Sequence, residues 1–219
     1  MISLIFFIII ISFLITYLSI PLIRKFGLYA KITDFPNSRK KQTKPVVRIG
    51  GFGILIGSIV SILVSNLFFN GSISEIINNK FLFTLFIPSI LFFFIGLLDD
   101  IFSISAKIKL FLQFASSFLI WANGLGINYI DVHWLGLGFD KLIFPKLLAL
   151  TITFLWIGGV VNATNWLDGM DGLLAGISII LNISIIITGI FNNQAESYLW
   201  SSAILGSCLA YLIHNLKSN

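Results

Sequence analysis

Cysteine occurs once in 219 residues, histidine twice and acidic residues nine times. The lone Cys208 excludes an intrachain disulfide framework and a cysteine-based metal cluster, and its apolar surroundings make it an inert thiol in any compartment. His133 falls in an expected outer loop and His214 at the end of the last apolar run, so neither supports a histidine metal site. Charge is scarce altogether: 11% of residues are charged against 57% hydrophobic and 15% aromatic, with a mean hydropathy of +1.00. Ordinary globular chains are about 45–50% apolar, so disorder and a soluble domain are both excluded. Internal repeats are lacking too, which counts against an inverted-repeat transporter.

What the chain does have is apolar runs of helix-spanning length, about 20 residues each. They cover Ile2–Ile23, Phe52–Phe69, Phe81–Leu98, Leu110–Ile127, Leu142–Val161, Leu173–Ile190 and Tyr198–Ile213. The fold class read from them is all-α: a polytopic membrane protein of about seven transmembrane helices, one membrane-embedded domain over residues 1–219. The first run is expected to be a retained helix and not a signal peptide, because Arg24 and Lys25 follow it instead of preceding it and no small-residue cleavage site appears. Basic residues flanking spans stay on the cytoplasmic side. The loop at 24–51 holds eight of them, and alternation adds Lys107, Lys109 and Lys217, leaving Lys80, Lys141 and Lys146 outside. The expected orientation is therefore N-terminus out, in the inner (plasma) membrane. The net charge of +5 follows this topology, and no nucleic-acid partner is expected. The outer loops at 70–80, 128–141 and 191–197 read as connectors, with a short interfacial segment around His133 and Trp134.

Four of the nine acidic residues form two knots, both at cytoplasmic ends of spans. Asp99 and Asp100 directly follow the run FFFIGLL. One interfacial carboxylate is ordinarily just solvated. Two side by side repel, and a divalent cation or a neighbouring lysine, here Lys107 or Lys109, most readily keeps both ionised. In the second knot Asn162, Asn165, Asp168 and Asp171 recur every three residues, lining polar groups along one side of a 3₁₀-like or α-helical turn, while Gly169 and Gly172 permit close ligand approach. Amide oxygens and carboxylates, with Trp166 as a stacking surface, suit Mg²⁺ (or Mn²⁺) shared with substrate phosphates. The third cluster, DFPNSRKKQTKPVVRIGG at 34–51, serves topology and anionic headgroups in its simplest reading. Facing the acidic knots, it would also hold phosphates.

These residues resemble the motifs of the polyprenyl-phosphate N-acetylhexosamine-1-phosphate transferase family, the MraY/WecA type of glycosyl transferase family 4. The likeness runs from about Asp34 to Asn215 with three motifs in the family's order. GLLDDIFSISAKIKLFLQ (96–113) looks like its Asp-Asp motif with a trailing Lys, NATNWLDGMDGLLAG (162–176) like its N-x-x-N-x-x-D-G-x-D-G signature, and the loop at 34–51 like N-x-R-K-x-H-x-x-P-x-P-R-x-G-G. Gln42, Val47 and Ile101 depart from the pattern, where the family often carries His, Pro and Arg. The family's later G-D-x-G-S motif and His-rich loop do not occur before Asn219, so the chain is expected to correspond to the N-terminal two-thirds of a longer fold.

The resemblance implies transfer of a sugar-1-phosphate, GlcNAc-1-phosphate by the loop pattern, from a UDP-sugar to a polyprenyl phosphate with release of UMP, in cell-wall or lipopolysaccharide biogenesis. It implies Asp99, Asp100, Asp168 and Asp171 as catalytic and metal-holding residues, and Asn162, Asn165, Lys107, Arg39, Lys40 and Arg48 as substrate-binding ones. The partners are the lipid phosphate, the UDP-sugar, the bilayer and, for assembly, a second copy in a homodimer. Two competing classes are a cation-coupled transporter, which would carry ionisable residues at span centres, and a non-catalytic fragment or assembly partner.

Overall fold

No water reaches the bilayer interior, so every backbone amide there has to be bonded within its own segment, and long apolar runs fold as helices. The computed structural model describes residues 1–34, 46–69, 80–136, 138, 140–167 and 172–216. Among them seven helices are long and apolar enough to cross a membrane: α1 (Ile2–Tyr29), α2 (Gly51–Phe68), α3 (Lys80–Phe102), α4 (Ala106–Ile120, reaching spanning length with the π turn that extends it to Leu125), α5 (Lys146–Leu167), α6 (Leu173–Phe191) and α7 (Ala195–Leu216). The protein is thus an all-α, multi-pass membrane protein.

Helix ends differ from the apolar runs where local chemistry intervenes. Helix α1 continues past Ile23 to Tyr29 and takes Arg24 and Lys25 with it, since long basic side chains can reach the interface from within a helix. Helix α5 begins at Lys146 instead of Leu142. Pro145 disfavours helical backbone at Phe144, and Lys141–Ile143 is already committed to a strand.

The chain forms two compact units, Met1–Asn79 with Leu167–Asn219, and Lys80–Trp166. In the first, α7 packs against α1, α2 and α6, and α1 against α2. Their seam is made of small and hydroxyl side chains, the usual means of bringing helices close where lipid removes the hydrophobic drive. Thr16 donates to the Gly53 carbonyl at 3.1 Å, and Ser58 and Ser207 share a hydrogen bond of 3.2 Å. A Cβ on Gly206 would collide with the Ile9 carbonyl oxygen and the Ser12 hydroxyl, so only glycine fits there.

Pro21 lies inside α1 and has no N–H for the Tyr17 carbonyl four residues back. The His214 ring supplies the missing donor, with Nε2 at 3.1 Å from that oxygen and the ring 4.6 Å from the Tyr17 ring. Beyond α1 the chain forms a short ladder, β1 (Thr33–Asp34) with β2 (Val46–Val47), antiparallel, which clamps the two ends of the basic loop together.

In the second unit α3 and α4 are joined by a tight turn. Ser103 sits at φ 49° and donates its N–H to the Asp99 carbonyl at 2.8 Å, and Ser105 caps α4 by accepting from Ile108 N–H at 3.4 Å. Helix α4 relaxes into a π turn at Trp121–Leu125, and the chain returns through an antiparallel hairpin, β3 (Tyr129–Asp131) and β4 (Lys141–Ile143). The expected connector around His133 is therefore structured: His133 pairs with Asp140 at 3.0 Å, and the Lys141 ammonium lies 4.6 Å from the centre of the Tyr129 ring.

Candidate functional site

Helix α3 ends in GLLDDIF, so Asp99 and Asp100 lie in its last turn, where the helix macrodipole is already negative. Lys109 lies in the first turn of α4, at that helix's positive end. Neither placement helps its own helix. The two ends meet across the turn, and Lys109 Nζ lies 2.7 Å from Asp99 Oδ2, with side chains 17% and 29% exposed. The pair is partly buried, so what attraction it gains is offset by the cost of taking both charges out of water, and its clearest effect is to fix the direction of Asp99. Asp100, next along the helix, is exposed.

Lys107 is exposed and has no ion-pair partner among the described residues. Of the two lysines near the acidic pair, Lys109 is the one that closes on it. Residues two apart on a helix point about 200° away from each other, so only one of them can face back toward α3.

One turn further along α4, on the face that carries Lys109, Gln113 is completely buried. Its Oε1 accepts from Asn162 Nδ2 of α5 at 2.9 Å, and Asn162 Nδ2 donates a second bond to the Gly158 carbonyl at 2.7 Å. A backbone carbonyl can only accept, so this contact settles which amide atom of Asn162 is the nitrogen. Asn162 Oδ1 remains as an acceptor on a half-buried side chain, and Gln113 Nε2 is buried without a partner among the described residues. Leaving such a donor unpaired costs about 1–3 kcal/mol. An apolar residue would pack that position more favourably, so the oxygen of Gln113 is its useful end.

Asn165 lies three residues after Asn162 on the same helix and is exposed, as is Trp166. Helix α5 therefore carries the first half of the asparagine and aspartate series on one face as far as Leu167. Asp168 and Asp171, like Arg39 and Lys40 of the basic loop, lie outside the described residues, as does the Arg48 side chain. Immediately after the acidic knot, Gly172 opens α6 at φ +77°, where a Cβ would lie 2.9 Å from Leu212. A glycine is required there for both reasons.

The second unit thus brings together Asp99, Lys109, Gln113 and Asn162 through α3, α4 and α5, and it places Asp100, Lys107 and Asn165 on exposed surface of the same three helices. Two carboxylates and an amide oxygen are hard donors of the kind Mg²⁺ takes, so the residues fit that ion in type. Among the described residues no three His, Cys, Asp or Glu side chains gather into a metal cluster. Lys109 was one of the two lysines expected beside the acidic pair and is the one that pairs, whereas Gln113 is not singled out as a site feature by motif. The available signal was a polar residue at i+4 from a lysine inside an apolar span.

Comparison with known proteins agrees with the motifs. A family model for glycosyl transferase family 4 matches residues 82–218. The chain is 28% identical over 211 residues to the probable undecaprenyl-phosphate N-acetylglucosaminyl 1-phosphate transferase of Bacillus subtilis (strain 168), covering 94% of this chain and 55% of that protein. It is 29% identical over 208 residues to the undecaprenyl-phosphate alpha-N-acetylglucosaminyl 1-phosphate transferase of Escherichia coli (strain K12), covering 93% and 52%. A decaprenyl-phosphate N-acetylglucosaminephosphotransferase of Mycolicibacterium smegmatis is 23% identical over 215 residues, covering 92% and 51%. The chain spans about half the length of these curated relatives.

Proposed function

The chain belongs to glycosyl transferase family 4, and on that premise we propose that it transfers GlcNAc-1-phosphate from UDP-GlcNAc to a polyprenyl phosphate, releasing UMP, at the cytoplasmic face of the inner (plasma) membrane. The observation that carries the reading is the acidic pair at the end of α3, steered by Lys109 and adjoining the Gln113–Asn162 bond within one unit. It is supported by relatives whose names specify a polyprenyl-phosphate acceptor and an N-acetylglucosaminyl phosphate donor.

An oxygen of the lipid phosphate attacks the sugar-bearing phosphorus of the donor, the bond to the bridging oxygen breaks, and UMP leaves with that oxygen. Both reactants are anions, so the protein's task is to position them and offset their charge. Asp99 and Asp100 would hold a magnesium ion, and Asp168 and Asp171 of the second acidic motif are the other carboxylates proposed for a metal-holding role. When bound, that ion neutralises pyrophosphate charge. One carboxylate of the α3 pair takes the proton of the acceptor phosphate. Asn162 and Asn165 are proposed to offer amide contacts to the nucleotide sugar, and Lys107, Arg39, Lys40 and Arg48 are each proposed as phosphate contacts. A site at a helix end suits the acceptor, whose phosphate stays at headgroup level while its tail remains among the spans.

The test is UMP release by the chain in lipid nanodiscs supplied with UDP-GlcNAc, undecaprenyl phosphate and Mg²⁺, beside an Asp100→Asn variant. UMP and a lipid-linked sugar, both lost in the variant, are the expected result. Because the chain covers half of its relatives' length, a non-catalytic role is the second reading. Binding of UDP-GlcNAc and Mn²⁺ without UMP would select it, and binding of neither would sink both.

A further inference from the structure

We propose that Gln113 is a positioning residue for Asn162: it fixes the Asn162 amide so that Oδ1 is presented, as an acceptor only, to the cation and phosphates of the donor. The inference rests on the transferase reading above and adds a residue and a role to it. Both protons of Asn162 Nδ2 are already committed, one to Gln113 Oε1 at 2.9 Å and one to the Gly158 carbonyl at 2.7 Å. With both in place, rotation of the amide about its last bond would set its oxygen against two acceptors, so the flipped state is excluded by repulsion. Gly158 belongs to the same helix as Asn162, whereas Gln113 comes from α4, 49 residues away in sequence, and ties the amide to a second helix.

Gln113 is held in turn. It is completely buried, one helical turn after Lys109, whose ammonium is tied to Asp99. A single rigid stretch of α4 therefore sets the direction of a carboxylate on α3 with one side chain and of an amide on α5 with the next. Its unpartnered Nε2 marks a position where packing has yielded to geometry, as expected of residues that support a site.

The experiment measures Mn²⁺ affinity by electron paramagnetic resonance, in the presence of UDP-GlcNAc, for the chain in nanodiscs. The variants are Gln113→Leu, Gln113→Glu, Asn162→Ala, Asp100→Asn and the double variant Gln113→Leu/Asn162→Ala. Loss of a supporting partner typically weakens metal binding about 10–100-fold. Gln113→Leu is expected to weaken Mn²⁺ binding about tenfold, and Gln113→Glu, which keeps an acceptor oxygen, to restore most of it. In the Asn162→Ala background Gln113→Leu should add nothing, because a residue acting through Asn162 has no further effect once Asn162 is gone. Thermal melting of each variant identifies any that fails to fold, in which case the Glu variant and the Asn162→Ala background carry the test. Equal losses from Gln113→Leu with and without Asn162 would overturn the proposal in favour of plain packing. No loss from Gln113→Leu while Asp100→Asn weakens binding would overturn it and leave the transferase reading standing. No loss from any variant would overturn both.

Discussion

In the unit built from α1, α2, α6 and α7, buried hydroxyls spend their hydrogen-bonding capacity on the backbone or on one another: Ser61 on Ser58, Ser65 on Ser61, Thr16 on Gly53, Ser58 with Ser207. In the unit of α3, α4 and α5, the side chains that bond across helices are a carboxylate, an ammonium and two amides, and they keep capacity in reserve at Asn162 Oδ1 and Gln113 Nε2. Both units carry polar residues inside apolar helices, and the first too has a buried amide oxygen, Asn66 Oδ1 of α2, without a hydrogen-bond partner among the described residues; what distinguishes the second is a carboxylate, an ammonium and amides that bond from helix to helix. A polar residue in a span marks function when its bonds reach between elements and are incomplete, and marks packing when they close locally.

Removing a carboxylate of the second unit should have the largest effect. Asp100→Asn is expected to lower UMP release at least about 100-fold, the scale seen when a charge-stabilising group is lost, with the variant still folded by denaturant titration. A variant that keeps activity, or that unfolds, would place Asp100 with the packing residues of the first unit.

The converse experiment acts on that first unit. Gly206→Leu forces a side chain into the Ile9 backbone and should destabilise the chain by about 1–3 kcal/mol by the same titration, with Mn²⁺ affinity of the folded fraction unchanged. A smaller change is expected from His214→Phe, which keeps a ring beside Tyr17 but gives up the donor to the carbonyl freed by Pro21. It should cost about 1 kcal/mol, and nothing in a Pro21→Ala background, where the helix supplies its own N–H. Smallest of all, Lys109→Met should alter stability by about 1 kcal/mol or less, since Asp99 keeps access to water at 29% exposure.

The spans were legible because lipid leaves a chain few options, and the acidic pair was legible because charge at the end of an apolar run is conspicuous. The choice between Lys107 and Lys109 was not. Both are near Asp99 in sequence, and only the phase of α4, set by its cap at Ser105, decides which one faces it. Gln113 looked like an interruption of a span, because its meaning lies in a partner 49 residues away. The hairpin around His133 is held by short exposed strands and an Asp140 contact that carry no hydrophobic pattern to read. Of the second acidic motif, the structure follows Asn162 and Asn165 to the end of α5 and resumes at Gly172.

The most direct measurement is a Mn²⁺ titration, followed by electron paramagnetic resonance, of the chain in nanodiscs beside an Asp99→Asn/Asp100→Asn variant. Saturable Mn²⁺ binding that Mg²⁺ displaces, weakened at least about tenfold in the double variant, is the result expected if the end of α3 is a cation and phosphate site. Equal Mn²⁺ binding by the two proteins would contradict it.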